Sequence, residues 1–119
     1  MKFFTRNLHI AVFAILLLAT VLATSPLFAQ EGAEGAKLVQ EYRCYACHDM
    51  DKALIGPPYR AIAARHASKM EVMEKVLATK IILGGGGNWG MVPMVPNEHV
   101  PEQDALAISR WILGLSPSR

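Results

Sequence analysis

The segment Cys44-Tyr45-Ala46-Cys47-His48 constrains this chain more than any other feature, because it holds both of the cysteines in the 119-residue sequence. Thiols three positions apart cannot close a long disulfide loop, so cross-linking is unable to supply the stability that a short chain lacks. A bound cofactor or metal is then the natural source of that stability. The spacing also has a geometric meaning. Positions i, i+3 and i+4 share one face of a helix, so both sulfurs and the imidazole project to the same side.

Such a face suits capture of a haem, the sulfurs adding to its vinyl groups while the imidazole reaches the iron, and Cys-x-x-Cys-His is the c-type attachment pattern. Three plainer readings compete. A zinc site needs four ligands, and neither His66 nor His99 has paired spacing with a cysteine. A dithiol redox pair needs a βαβ setting that this sequence lacks. An inert cysteine pair leaves His48 unexplained.

The N-terminus carries Lys2 and Arg6, then an apolar run over residues 10–23 broken only by Thr20, then Pro26 and Ala29. That is the shape of a secretory leader cleaved after Ala29. The competing reading, a retained anchor, is disfavoured because the run is short of the ~20 residues that a bilayer span needs. The leader accounts for the formal charge of +2: removing Lys2 and Arg6 leaves ten Lys and Arg against ten Asp and Glu. No basic surplus remains to hold a nucleic acid. Residues 30–119 then form one small domain whose core is marginal on chain burial alone.

Periodicity predicts an all-α domain with helices over residues 34–45, 59–65, 69–83 and from 101 onward. Glu34 and Arg43 in the first, and Glu102 and Asp104 in the last, lie where the helix dipole favours them. In the third, Met70, Met73, Val76, Leu77 and Ile81 are spaced for burial. Ala107, Ile108, Trp111, Ile112 and Leu115 form the apolar face of the last, which is expected to cross the first near Leu38 and Tyr42. Between them, residues 84–101 hold five glycines and three prolines. A loop of that length inside a compact domain is usually functional.

If His48 binds iron, the sixth ligand comes from elsewhere in the chain. The candidates are Met94, Met91, His66, His99 and a methionine of the third helix. Met94 is favoured, because Pro93 and Pro96 restrain the backbone around it and leave little freedom to lose on binding. Met70 and Met73 fit a core stripe better.

The chain resembles the short bacterial class I monohaem cytochromes c, of the kind that shuttle electrons in the periplasm. The resemblance rests on Cys44-Tyr45-Ala46-Cys47-His48, on Leu54-Ile55-Gly56-Pro57-Pro58-Tyr59, on Gly87-Asn88-Trp89-Gly90-Met91-Val92-Pro93-Met94-Val95-Pro96-Asn97 and on Trp111. It implies a class I cytochrome c fold, with four helices around one covalent haem c. It also implies His48 and Met94 as axial ligands, with the Pro57 carbonyl accepting the His48 Nδ1 proton. Trp89 is expected near a haem propionate, and Asn97 near the methionine sulfur. The glycine run and Met91 depart from the family pattern.

A six-coordinate iron has no open position for substrate, so these features point to an electron carrier rather than an enzyme. Methionine ligation favours the ferrous state and a positive potential. Tyr42, Ile55, Pro58, Leu77, Ile81, Val92 and Trp111 are expected to surround the haem. A monomer that docks transiently on redox proteins fits a neutral polypeptide. The other readings are a haem subunit of a periplasmic dehydrogenase or oxidase, and an enzyme or sensor opened when Met94 dissociates.

Overall fold

The computed structural model describes residues 27–115, with side chains from Gly32 onward. The expected leader, residues 1–29, lies outside that range except for its last three residues, which open the first helix. Four α-helices follow in order: α1 Leu27–Glu41, α2 Tyr59–His66, α3 Met70–Leu83 and α4 Glu102–Leu113. Single 3-10 turns occupy Cys44–Ala46 and Ala67–Lys69. Among the described residues there is no strand, and one isolated antiparallel bridge joins Gly85 to Met94. The all-α expectation holds.

Helix α1 stops at Glu41 rather than running on to residue 45. The cause is Arg43, which takes left-handed angles of φ 56 and ψ 31, a conformation that costs a non-glycine residue about 1–2 kcal/mol and ends a right-handed helix. The cysteines therefore lie in a 3-10 turn, not on α-helix. They are gathered all the same, because the amides of Cys47 and His48 both donate to the Cys44 carbonyl, at 3.1 and 3.0 Å. Pro58 and Pro101 each cap a helix from outside, with φ near −60 and ψ near 150, so neither helix loses an amide bond to proline. The Pro101 carbonyl accepts the Ala105 amide at 3.0 Å.

Helix α4 is the centre of the packing and touches α1, α2 and α3. Its Ala105, Ala107, Ile108, Ile112 and Leu113 are buried, together with Leu38 and Val39 of α1, Tyr59 and Ile62 of α2 and Ala78 and Ile81 of α3. Ser109 is fully buried too, its hydroxyl donating to the Ala105 carbonyl at 2.8 Å. Leu38 and Tyr42 pack into the core with Trp111 and Leu115 as expected, and α1 also comes close to α4 one turn earlier, at Gly35. A Cβ there would run into the Trp111 Cβ and come 2.7 Å from the Ala107 carbonyl oxygen. Tyr42 also donates its hydroxyl to Asp104 of α4, which pushes the phenol pKa up to about 12.

Helix propensity alone says that Gly35→Ala should stabilise α1 by about 1 kcal/mol. The contact with α4 opposes this, since overpacking costs about 1–3 kcal/mol where the neighbour is backbone. We expect the contact to win, with a net loss of about 1 kcal/mol and a thermal midpoint lowered by roughly 4–8 °C. A midpoint that rises would refute the close crossing.

Helix α3 departs from its expected stripe. Ala78 and Ile81 are buried, but Met70 is 44% exposed and Val76 is 47% exposed. The reason is that α3 has two apolar faces. One meets α4, the other looks onto a cavity, and Met70 in the first turn belongs to neither.

Candidate functional site

That second face helps to enclose a cavity of about 680 Å³, within the range of small-molecule and cofactor sites. Its walls come from the Cys44–Ala46 turn and its flanks, the loop before α2, one side of α2, the free face of α3 and the loop after it, with Ile108 and Ile112 of α4 as the floor.

On one wall stands His48, which is only 8% exposed. Its Nδ1 lies 2.8 Å from the Pro57 carbonyl oxygen. A carbonyl can only accept, so Nδ1 carries a proton, and in the neutral ring the lone pair is then on Nε2. The ring stacks on Tyr59, with centroids 5.4 Å apart and planes inclined by 24°. Gly56 lies against its other side: a Cβ there would come 2.7 Å from Nδ1 and 2.9 Å from Nε2. Only glycine leaves the ring its space.

The backbone holds this arrangement, with the Gly56 amide donating to the Cys47 carbonyl at 2.7 Å and the Tyr59 amide to the Asp49 carbonyl at 2.9 Å. The Asp49 carboxylate accepts the amides of Asp51 and Lys52, and these bonds hold its pKa below the usual carboxylate range.

Cys44 and Cys47 are free, half-buried and part of the same cavity. Burial is the main influence on the Cys44 thiol and pushes its pKa up, which favours the neutral form over a metal-binding thiolate. Among the described residues, no three His, Cys, Asp or Glu gather into a metal cluster. Tyr59 also lines the cavity. Its hydroxyl is buried without a hydrogen-bond partner, and burial pushes its pKa well above the ordinary value.

The Gly/Pro-rich loop also contributes to the lining. Met94 is half-buried and lines the cavity, whereas Met91 is 97% exposed and lies outside it. Two backbone bonds fix Met94: Gly85 amide to Met94 carbonyl at 2.9 Å, and Met94 amide to Gly85 carbonyl at 3.0 Å. Asn97 anchors the same loop to α3, its amide donating to the Ile82 carbonyl at 3.0 Å and its Nδ2 to the carbonyls of Ile81 and Val95, at 3.0 and 3.1 Å. A bond from Asn97 toward the Met94 sulfur would have to replace one of these.

Of the other ligand candidates, His66 and Met73 border the cavity, while His99 packs edge-on against Tyr42 outside it. Tyr42, Ile55, Pro58, Leu77, Ile81 and Val92 are among the lining residues, as expected. Trp111 is not. It sits in the α1–α4 crossing and meets Tyr59 edge to face at 5.1 Å. Sequence reasoning missed the charged lining: Arg43, Arg65 and Lys80 border the cavity, and among the described residues no Asp or Glu does. A signal was present, since Lys80 follows Leu77 by three positions and Arg65 follows Ile62 by three, the spacing that puts them on the cavity side of their helices.

A model of the cytochrome c family matches residues 32–116. The chain belongs to the cytochrome c family. It is 44% identical to cytochrome c-551 of Allochromatium vinosum over 78 residues, covering 66% of this chain and 82% of that relative. It is 39% identical to cytochrome c-552 of Nitrosomonas europaea over 98 residues, which are 82% of this chain and 94% of the relative. The crystal structure of Nitrosomonas europaea cytochrome c552 superimposes with a TM-score of 0.65 at 41% identity, covering 68% of this chain and 99% of that one.

A cytochrome c carries one covalent haem c with its iron and transports electrons between redox proteins. The residues present suit such a group: an apolar cavity of cofactor size lined by two thiols, by a histidine whose Nδ1 is held by a carbonyl, by a thioether and by three cations. In this cytochrome the glycine at position 56 is part of that fit, because it leaves the imidazole free to stand upright against the cavity.

Proposed function

We propose that this cytochrome is a soluble, monomeric electron carrier of the periplasm, exported by residues 1–29, with haem held by Cys44 and Cys47 through thioether bonds and by His48 and Met94 at the iron. When bound, the haem supplies the iron whose one-electron change is the function. The protein residues do the rest. His48 presents Nε2 because the Pro57 carbonyl holds its Nδ1 proton, which fixes the tautomer and raises the basicity of the ring. Met94 is offered by a loop pinned to the end of α3 at Gly85, so the sulfur has little freedom to lose. Ile62, Leu77, Ile81 and Ile108 keep water from the centre. Trp89 is assigned to a propionate, since it borders the cavity and an indole N–H seeks an acceptor.

The observation that carries this reading is the placement of His48 and Met94 on the lining of one cavity, with Met91 outside it.

An optical spectrum tests it. The oxidised protein is expected to show the weak far-red absorption that marks methionine sulfur on ferric haem. Met94→Ala should abolish that band while the haem remains covalently attached. A band that survives in Met94→Ala, or is absent from the unmutated protein, rules out Met94 as the ligand.

A further inference from the structure

The loop after α3 is tied down unevenly. Its return limb is fastened by the Gly85–Met94 bridge and by the bonds of Asn97 to α3. The outer lip, residues 86–92, has little of this kind. Gly87 and Gly90 adopt φ of 88 and 118, with nothing within 4 Å of the position a Cβ would take. Met91 is almost wholly in solvent and Val92 is 65% exposed. Such a segment should fray.

One side chain crosses to it. The Arg65 guanidinium donates to the Asn88 carbonyl at 2.8 Å and lies 4.8 Å from the centre of the Trp89 ring. No carboxylate among the described residues forms an ion pair with it. Arg65 therefore spends its charge and its planar face on the lip. It reaches from α2, near the C-terminal end of that helix, so it couples the lip to the helix that also holds Tyr59 behind His48.

We propose that Arg65 is a positioning residue that latches the lip over the cavity and thereby guards the Met94 side of the haem. This rests on the haem and methionine reading above. The latch uses one charge-assisted hydrogen bond and one cation–π contact, which together are enough to shift a local opening equilibrium by about tenfold. Opening the lip frees the segment that leads into the Gly85–Met94 bridge, so an outside ligand gains access to the iron more often.

The test uses the haem-loaded full protein and two readouts. Backbone amide exchange in Arg65→Ala is expected to accelerate about tenfold at residues 88–92, with α4 amides unchanged. Imidazole, added to the oxidised protein, is expected to displace the methionine at roughly tenfold lower concentration. Arg65→Lys keeps a cation over the ring and is expected to recover to within about threefold of the unmutated protein. Unaltered lip exchange in Arg65→Ala overturns the latch. So does acceleration spread equally over α4, which would mean a merely structural role. The exchange readout does not depend on which residue ligates the iron, so failure of the methionine assignment shows in the absorption band and the imidazole titration and leaves the latch separately testable by exchange.

Discussion

Replacing Cys44 and Cys47 together by serine is expected to leave a chain without stable haem and without a cooperative fold. The cavity explains why. Leu54, Ile55, Val76 and Val92 line it and are 54, 65, 47 and 65% exposed when only protein atoms are counted. Covering what remains of each is worth roughly 1 kcal/mol, or about 4 kcal/mol for the group. A domain of residues 30–119 has about 5–13 kcal/mol of total stability at ordinary values per residue, so this is a large share. The loss goes further, because Ile62, Ile81, Ile108 and Ile112 belong both to the core and to the cavity lining, and water in the cavity wets both. Far-ultraviolet circular dichroism should show most of the helix signal gone and no sharp melt. Native-like helicity with cooperative melting would mean that the helices hold together by themselves.

Gly84→Ala should do comparable damage at a single atom. Gly84 has φ 68 and ψ −153, a region essentially closed to other residues, and holding an alanine there costs about 1–3 kcal/mol. The added methyl would also meet the Met94 carbonyl and come 2.8 Å from the Pro96 nitrogen and 2.9 Å from the Val95 carbonyl carbon. These are backbone atoms and cannot swing aside, so the ligand loop must move away from α3 and lose its paired bonds at Gly85, about 1 kcal/mol each. We expect a loss of about 3–4 kcal/mol, a thermal midpoint lower by roughly 15–25 °C, and the far-red methionine band gone from the oxidised spectrum. Gly87→Ala is the control. Its φ of 88 is also unfavourable, but no atom lies within 4 Å of the new methyl, so it should cost only the backbone strain and keep the band. Equal behaviour of the two variants would show that the close approach at Gly84 does not govern Met94.

Much of this was legible in the amino-acid order, and the reasons are physical. Local signals were read well: helix α2 starts where Pro58 dictates, α3 ends where the glycines begin, and the cysteine spacing gathers its three side chains even though the local backbone is a 3-10 turn. Periodicity failed wherever an element faces two environments at once. On α3 the stripe from Met73 to Ile81 is apolar because part of it faces α4 and part faces the cavity, and no single helical face describes that. Arg43 is invisible to periodicity altogether, since nothing in an arginine announces a left-handed residue. Gly35 was missed because a glycine inside a helix gives no hint of the partner it accommodates. Trp111 was assigned to the haem surroundings by its apolar character, but its place is set by the helix crossing.

The charged lining of the cavity bears on which way electrons run. Arg43, Arg65 and Lys80 border a space that, among the described residues, no carboxylate borders. Adding an electron to an iron centre removes one unit of positive charge, and fixed cations favour the state that carries less of it. The propionates of the haem offset part of this field without needing any acidic residue of the protein to do so. The polypeptide therefore leans toward the reduced form before any ligand chemistry is considered. A carrier built in this way fills readily from its donor and gives up its electron only to an acceptor that holds it more tightly.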